Sequence, residues 1–193
     1  MDNKEYINEL MVKARTAQAS IANYTQEQVD ELVRVIGKAI YDNAEVLAKE
    51  AVTETRMGNY EDKVAKNRGK AMVIWNSLKG KKSVDILGPE EGKEGILLVA
   101  KPKGIICSIT PTTNPIVTPM CNAMFALKGR NAIIVAPHPR SKNAATHAVN
   151  LMNEALKKLG APENLIQVVG ESDKHIAAAL MAAVDVVVAT GGM

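Results

Sequence analysis

Apolar residues in the first eighty positions recur at helical spacing. Ile7, Leu10, Met11, Ala14 and Ile21 share one face. Thr25-Gln-Glu-Gln28 has the form of a capping box, which opens a longer helix. Its stripe runs through Val29, Leu32, Val33, Ile36, Ile40, Leu47 and Ala51. Gly58 and Asn59 interrupt the pattern, and a third helix is predicted to about Leu78, burying Val64, Ala71, Met72 and Trp75. Lys79-Gly-Lys-Lys82 then places positive charge where a helix dipole favours it. From Ser83 to Lys103 the period shortens to β segments and turns, with a surface turn at Gly88–Gly92 and a strand over Ile96–Ala100. Four apolar runs follow, Ile105–Ile109, Ala132–Ala136, Leu165–Val169 and Val186–Ala189. They alternate with helical patterns, the second of which carries Ala144, Ala148, Val149, Met152, Ala155, Leu156 and Leu159 on its buried face. Gly160-Ala-Pro162 stops that helix.

Strand and helix in strict alternation predict an α/β fold: N-terminal helices followed by a doubly wound, mainly parallel, Rossmann-like sheet. The whole of 1–193 reads as an incomplete cofactor-binding domain, with a helical part at 1–80, short β segments at 83–103 and βαβ units at 104–193. A βαβ crossover makes its strands parallel, so the loops after the first two long strands emerge at one edge. Those loops are Thr110-Pro-Thr-Thr-Asn114 and Pro137-His-Pro-Arg140, and ligands of open α/β sheets bind outside such carboxyl ends. Thr190-Gly-Gly192 after the last strand has the form of a phosphate-contacting turn into a helix. The helix that would follow is missing, so the expectation is a chain cut inside its domain.

Composition narrows the function. Aromatics make up 3% of the chain, so the core must be aliphatic and rich in methionine. A net charge of +3, spread without a basic run, argues against nucleic-acid binding. Ile176 to Ala189, the longest nearly apolar run, is interrupted by Asp185 and too short to cross a bilayer, and the polar N-terminus is unlike a signal peptide. Two cysteines at unrelated positions indicate neither a disulfide framework nor a metal site, and a cytoplasmic protein is expected. Cys107 sits among Ile105, Ile106 and Ile109, and Cys121 beside Met120, Met124 and Phe125. Burial there raises a thiol pKa, so neither is expected to be a nucleophile. Taken alone, Thr112, Thr113 and Asn114 suit helix capping as well as ligand contact. His138 and Arg140 suit a solvated loop, Thr190-Gly-Gly an ordinary turn, and His147 and His175 a helix surface.

Five segments together change that balance: Pro102-Lys-Gly-Ile105, Ile109-Thr-Pro-Thr-Thr-Asn-Pro115, Lys128-Gly-Arg-Asn131, Pro137-His-Pro-Arg140 and Ala189-Thr-Gly-Gly192. With them the chain resembles the aldehyde dehydrogenase superfamily, and within it the CoA-acylating branch, over essentially its full length. The resemblance implies an oxidoreductase that converts aldehyde, CoA and NAD or NADP to acyl-CoA and reduced cofactor, in a homo-oligomer. It implies that Asn114 stabilises the oxyanion formed by cysteine attack and that Thr110, Pro111, Thr112 and Thr113 line the nicotinamide side. Pro137, His138, Pro139 and Arg140 would hold the adenosine end, Thr190, Gly191 and Gly192 would face the pyrophosphate, and Gly170 would approach the adenine. No Gly-x-Gly-x-x-Gly follows a strand, as the resemblance leads one to expect. The family's nucleophilic cysteine lies beyond the Thr-Gly-Gly turn, so the chain alone is expected to be inactive. The alternative is a non-catalytic nucleotide-binding or subunit-interaction module.

Overall fold

The computed structural model describes residues 3–171 and 173–191. Four helices come first: α1 (Asn3–Ser20), α2 (Gln26–Asp42), α3 (Ala44–Thr55) and α4 (Tyr60–Leu78). Strands β1 (Asp85–Pro89) and β2 (Leu97–Ala100) pair antiparallel as a separate two-stranded sheet. The alternating part is β3 (Ile105–Thr110), α5 (Val117–Lys128), β4 (Ala132–Pro137), α6 (Lys142–Lys158), β5 (Ile166–Val168), α7 (Lys174–Ala183) and β6 (Val186–Ala189). Its strands form a parallel sheet in the order β5-β4-β3-β6.

Side-chain alternation along the strands builds two cores. Ile106, Ile133 and Val135 pack with α5 and α6, and behind them with α2, α3 and α4. Ile105, Cys107, Ile134 and Ala136 pack on the opposite face with α1 and α7. Both faces are covered at β3 and β4, as the uninterrupted apolar runs require of a parallel sheet, while Val187 of β6 is exposed. The doubly wound α/β architecture expected from the sequence is the one observed.

The Thr25 capping box forms in both directions, Thr25 N donating to Gln28 Oε1 at 2.8 Å and Gln28 N to Thr25 Oγ1 at 3.3 Å. Four local expectations are corrected. The stripe from Val29 to Ala51 belongs to two helices, because the Asn43 side chain donates to the Ala39 carbonyl at 2.9 Å and ends α2. Helix α4 buries Lys63, Asn67 and Ala71, while Met72 is 48% exposed and Val64 half-buried. Its rotation is set by polar contacts that hydrophobicity does not report. Asn67 Nδ2 donates to the Ala44 carbonyl at 3.1 Å, and Lys63 Nζ to the Thr113 carbonyl at 2.7 Å. Leu159 is exposed, since α6 ends there in a Schellman turn with Gly160 at φ 79° and Ala161 N donating to Leu156 O. Gly88 and Pro89 lie in β1 rather than in a turn, at an irregular register that Gly88 accommodates with φ 139°.

The amino edge of the sheet is welded by Lys128-Gly-Arg-Asn131. Asn131 Oδ1 accepts from Lys103 N and Gly104 N, and its amide donates to the Ala126 and Gly129 carbonyls. The buried Arg130 guanidinium donates to the Tyr24 carbonyl and grips both Asp85 oxygens, fixing the root of the β1–β2 hairpin. Lys128 pairs with Asp30 of α2. Beyond that root the hairpin's strands expose apolar side chains, with Ile86, Leu97 and Val99 each at least half exposed, and its tip is charged.

Candidate functional site

Three turns meet at the carboxyl edge. Thr110 is the ladder partner of Pro137, and His138 N donates to the Thr110 carbonyl at 3.1 Å. On the other side of β3, Thr190 N donates to the Ile109 carbonyl at 3.0 Å, and a Cβ built on Gly191 would lie 3.7 Å from Pro111 Cβ. The chain passes from β3 to β4 on one side and returns to β6 on the other. The gap between the β3 and β6 loops is therefore the topological switch point, where open sheets form a ligand crevice. Thr110, Pro111, Thr112, Thr113, Asn114, Thr190 and Gly191 border it, with Pro137, His138, Pro139 and Arg140 one strand further along. Gly170 stands apart at the end of β5, its N–H donating to Tyr6 Oη at 2.7 Å. Gly192 lies outside the described residues.

Local chemistry fixes each turn. The Thr110 hydroxyl is buried at the crevice end of β3 and has no hydrogen-bond partner. A buried polar atom left unmatched is costly, and here a ligand could satisfy it. The capping alternative for Thr112, Thr113 and Asn114 is not what forms: α5 has Ile116 at its N-cap, with no side-chain cap bond. Its amino end therefore faces this rim without a capping side chain, in the orientation that favours anions. His138 Nδ1 accepts from Arg140 N at 3.1 Å and starts a single 3-10 turn, leaving His138, Pro139 and Arg140 exposed. The amino end of α6 is already capped, since Glu54 accepts from Asn143 N and Ala144 N at 2.9 and 2.8 Å.

The sequence reading missed two lysines of α4. Lys63 Nζ donates to the Thr113 carbonyl at 2.7 Å, and Lys66 Nζ to Asn114 Oδ1 at 3.2 Å. Burial, with Lys66 adding to it, lowers the Lys63 pKa from the usual lysine range. The only sequence signal was a lysine four residues before Asn67 and eight before Ala71, on what proves to be the inward stripe.

Neither cysteine is poised to react. Burial pushes the Cys107 thiol up to about 12, and Cys107 is fully enclosed in β3. Cys121 is half-buried, and its pKa is raised by burial, with Lys70 partly opposing the rise. The native protein should therefore leave Cys107 unmodified by iodoacetamide at neutral pH and modify Cys121 slowly, both reacting once denaturant is added. Peptide mass spectrometry checks this, and rapid native labelling of Cys107 would contradict it.

Among the described residues no helix is long and apolar enough to cross a membrane, and no cluster of three His, Cys, Asp or Glu side chains could hold a metal ion.

The class this geometry defines is an open α/β sheet with a Thr/Asn turn at its switch point and a Pro-His-Pro-Arg turn beside it. The aldehyde dehydrogenase family model matches residues 1–193, and the chain belongs to that family. It is 57% identical over 192 residues to a succinate-semialdehyde dehydrogenase (acetylating) of Clostridium kluyveri, covering all of this chain and 42% of that protein. An acetylating aldehyde dehydrogenase from Geobacillus thermoglucosidasius superposes with a TM-score of 0.88 at 34% identity, over 94% of this chain and 40% of the other. An engineered glycolyl-CoA reductase with bound NADP+ superposes at 0.80 and 33% identity, over 96% of this chain and 42% of its own. The chain thus spans about two-fifths of the length of the proteins it matches.

Proposed function

We propose that this chain supplies the NAD- or NADP-binding part of a CoA-acylating aldehyde dehydrogenase, which turns aldehyde, CoA and oxidised cofactor into acyl-CoA, reduced cofactor and a proton. The observation that carries this reading is the meeting of the 110–114, 137–140 and 190–191 turns at one rim. The similar proteins named as acetylating, and the glycolyl-CoA reductase with NADP+, support both the reaction class and the dinucleotide.

The residues present fit such a cofactor. The unpartnered Thr110 hydroxyl and the uncapped amino end of α5 offer donors at the crevice, and Gly191 leaves room beside Pro111. A bound nicotinamide supplies the two-electron acceptor. Thr110, Pro111, Thr112 and Thr113 position it, the exposed His138–Arg140 turn holds the adenosine end, and Thr190 and Gly191, with Gly192 next in sequence, face the pyrophosphate. Asn114 serves the aldehyde: when a thiolate adds to the carbonyl carbon, the oxygen becomes an alkoxide, and a fixed neutral donor stabilises it without changing charge. Cys107 and Cys121 do not provide that thiolate, for the reasons of burial given above.

The test uses the 193-residue chain. Titration with NAD, NADP and CoA, followed by amide NMR, should shift resonances at Thr110, Asn114, Arg140 and Thr190, while aldehyde plus CoA gives no cofactor reduction. Turnover by the pure chain, or shifts confined to another face, would overturn the proposal. A second reading, a module for association with another copy, is favoured by the exposed hairpin side chains of Ile86, Leu97 and Val99. Absence of nucleotide affinity with stable self-association in sedimentation would favour it.

A further inference from the structure

Asn114 can stabilise an alkoxide only if its Nδ2, and not its Oδ1, faces the substrate. The two ends of a carboxamide are nearly equal in size, so shape alone does not choose between them; hydrogen-bond partners do. Here the partners are unequal. Lys66 Nζ, 3.2 Å from Asn114 Oδ1, is an ammonium that donates and never accepts. Thr113 Oγ1, 3.3 Å from Nδ2, can do either and imposes no choice. Turning the amide over would set NH2 against the ammonium, donor against donor.

We propose that Lys66 is a positioning residue that fixes the carboxamide of Asn114 with its N–H donors toward the aldehyde oxygen, while Lys63 holds the backbone of the same turn through the Thr113 carbonyl. This rests on the reading of Asn114 given above. Among the described residues neither lysine is paired with a carboxylate, so neither position is explained by an ion pair. The two sit one turn apart on α4 and reach the same loop, forty-eight and fifty positions away in the chain. Lys63 is 8% exposed, and a Cβ on Gly58 would lie 3.2 Å from Lys63 Cε, so the stem is confined along its length. An ammonium on Oδ1 also draws electron density from the amide and makes Nδ2 the stronger donor. The charge acts through Asn114 and does not touch the reacting atoms.

The test has two arms. In the 193-residue chain, NMR of the Asn114 side-chain amide should show nuclear Overhauser contacts from its NH2 protons to Thr113 and none to the side chain at position 66. Lys66→Arg should keep that pattern. Lys66→Glu presents acceptors only, and should invert the amide so that its protons contact position 66. Lys66 lies on the exposed face of α4, and the backbone spectrum verifies that each variant folds. In the complete enzyme carrying this segment, Lys66→Met should lower kcat about ten- to a hundred-fold with KM for aldehyde within about threefold, Lys66→Arg should recover most of it, and Lys66→Glu should be worse than Lys66→Met. An amide pattern that stays the same in Lys66→Glu, or a kcat indifferent to Lys66→Met, overturns the proposal. Failure of nucleotide titration with the amide inversion intact would instead count against the enzyme reading and leave the Lys66–Asn114 coupling standing.

Discussion

Asn114→Ala in the complete enzyme is expected to reduce kcat by about 10²- to 10³-fold, the usual cost of deleting one preorganised oxyanion donor, roughly 3–4 kcal/mol of transition-state stabilisation. The loss should fall on kcat and kcat/KM alike, because the alkoxide exists only after thiolate addition and the ground-state carbonyl is a poorer acceptor. Asn114→Asp should be at least as damaging. A carboxylate accepts without donating, so it would pair with Lys66 Nζ and present negative charge where negative charge must develop. Folding should be little disturbed in either variant. Among the described residues the half-buried side chain bonds only to Lys66 and Thr113, and the backbone bond from Thr118 N to the Asn114 carbonyl does not depend on it. Steady-state kinetics on purified variants, with a melting curve beside each, checks the expectation. A loss below about fivefold for both would remove Asn114 from the chemistry.

The strands of the site were legible because a parallel sheet covered on both faces leaves a plain record, runs such as Ala132–Ala136 without a polar residue. Once the parallel arrangement is known, two turns follow each other to the same edge, and the pairing of Thr110 with Pro137 is the direct consequence. What the sequence concealed is the part that depends on contacts between distant positions. Lys63 and Lys66 carry no signal in the sequence, because nothing local indicates that α4 turns them toward a loop about fifty residues later. The Asn43 break was hidden by a stripe that keeps its phase across two helices, Ile40 and Leu47 serving one core. Lys128-Gly-Arg-Asn131 looked like a family signature without a visible purpose. Its partners Asp30, Tyr24, Asp85 and the backbone of Lys103 and Gly104 show it to be a joint at the edge opposite the candidate site. Signature residues thus divide between two ends of one sheet, Lys128–Asn131 at the amino end and the 110–114, 137–140 and 190–191 turns at the carboxyl end.

Gly104→Ala, at that opposite edge, is expected to lower stability by at least about 3 kcal/mol. Two separate effects combine. Gly104 has φ +122°, a region that side-chain-bearing residues occupy only with strain of about 1–3 kcal/mol. A Cβ there would also collide with Asp185 Oδ2 and lie 2.8 Å from its carboxyl carbon. That carboxylate cannot simply swing away: Oδ2 accepts from Ile105 N at 2.6 Å, and Oδ1 accepts from Arg15 at 2.8 Å. Displacing it would strip a charge-assisted bond from the first residue of β3 and loosen β6, whose register begins at Ile106–Val186. Because Gly104 N is also held by Asn131 Oδ1, the backbone has little freedom to relax instead. Thermal unfolding should show a fall in Tm of about 6–12 °C for a chain of this size. Asp185→Ala separates the two effects. In the Gly104→Ala background it should cost much less than in the wild type, since the collision and the carboxylate's bonds are already lost, while the dihedral strain remains. Strict additivity of the two substitutions, or a Gly104→Ala variant within about 0.5 kcal/mol of wild type, would show that the chain passes this point with more room than the Asp185 contact allows.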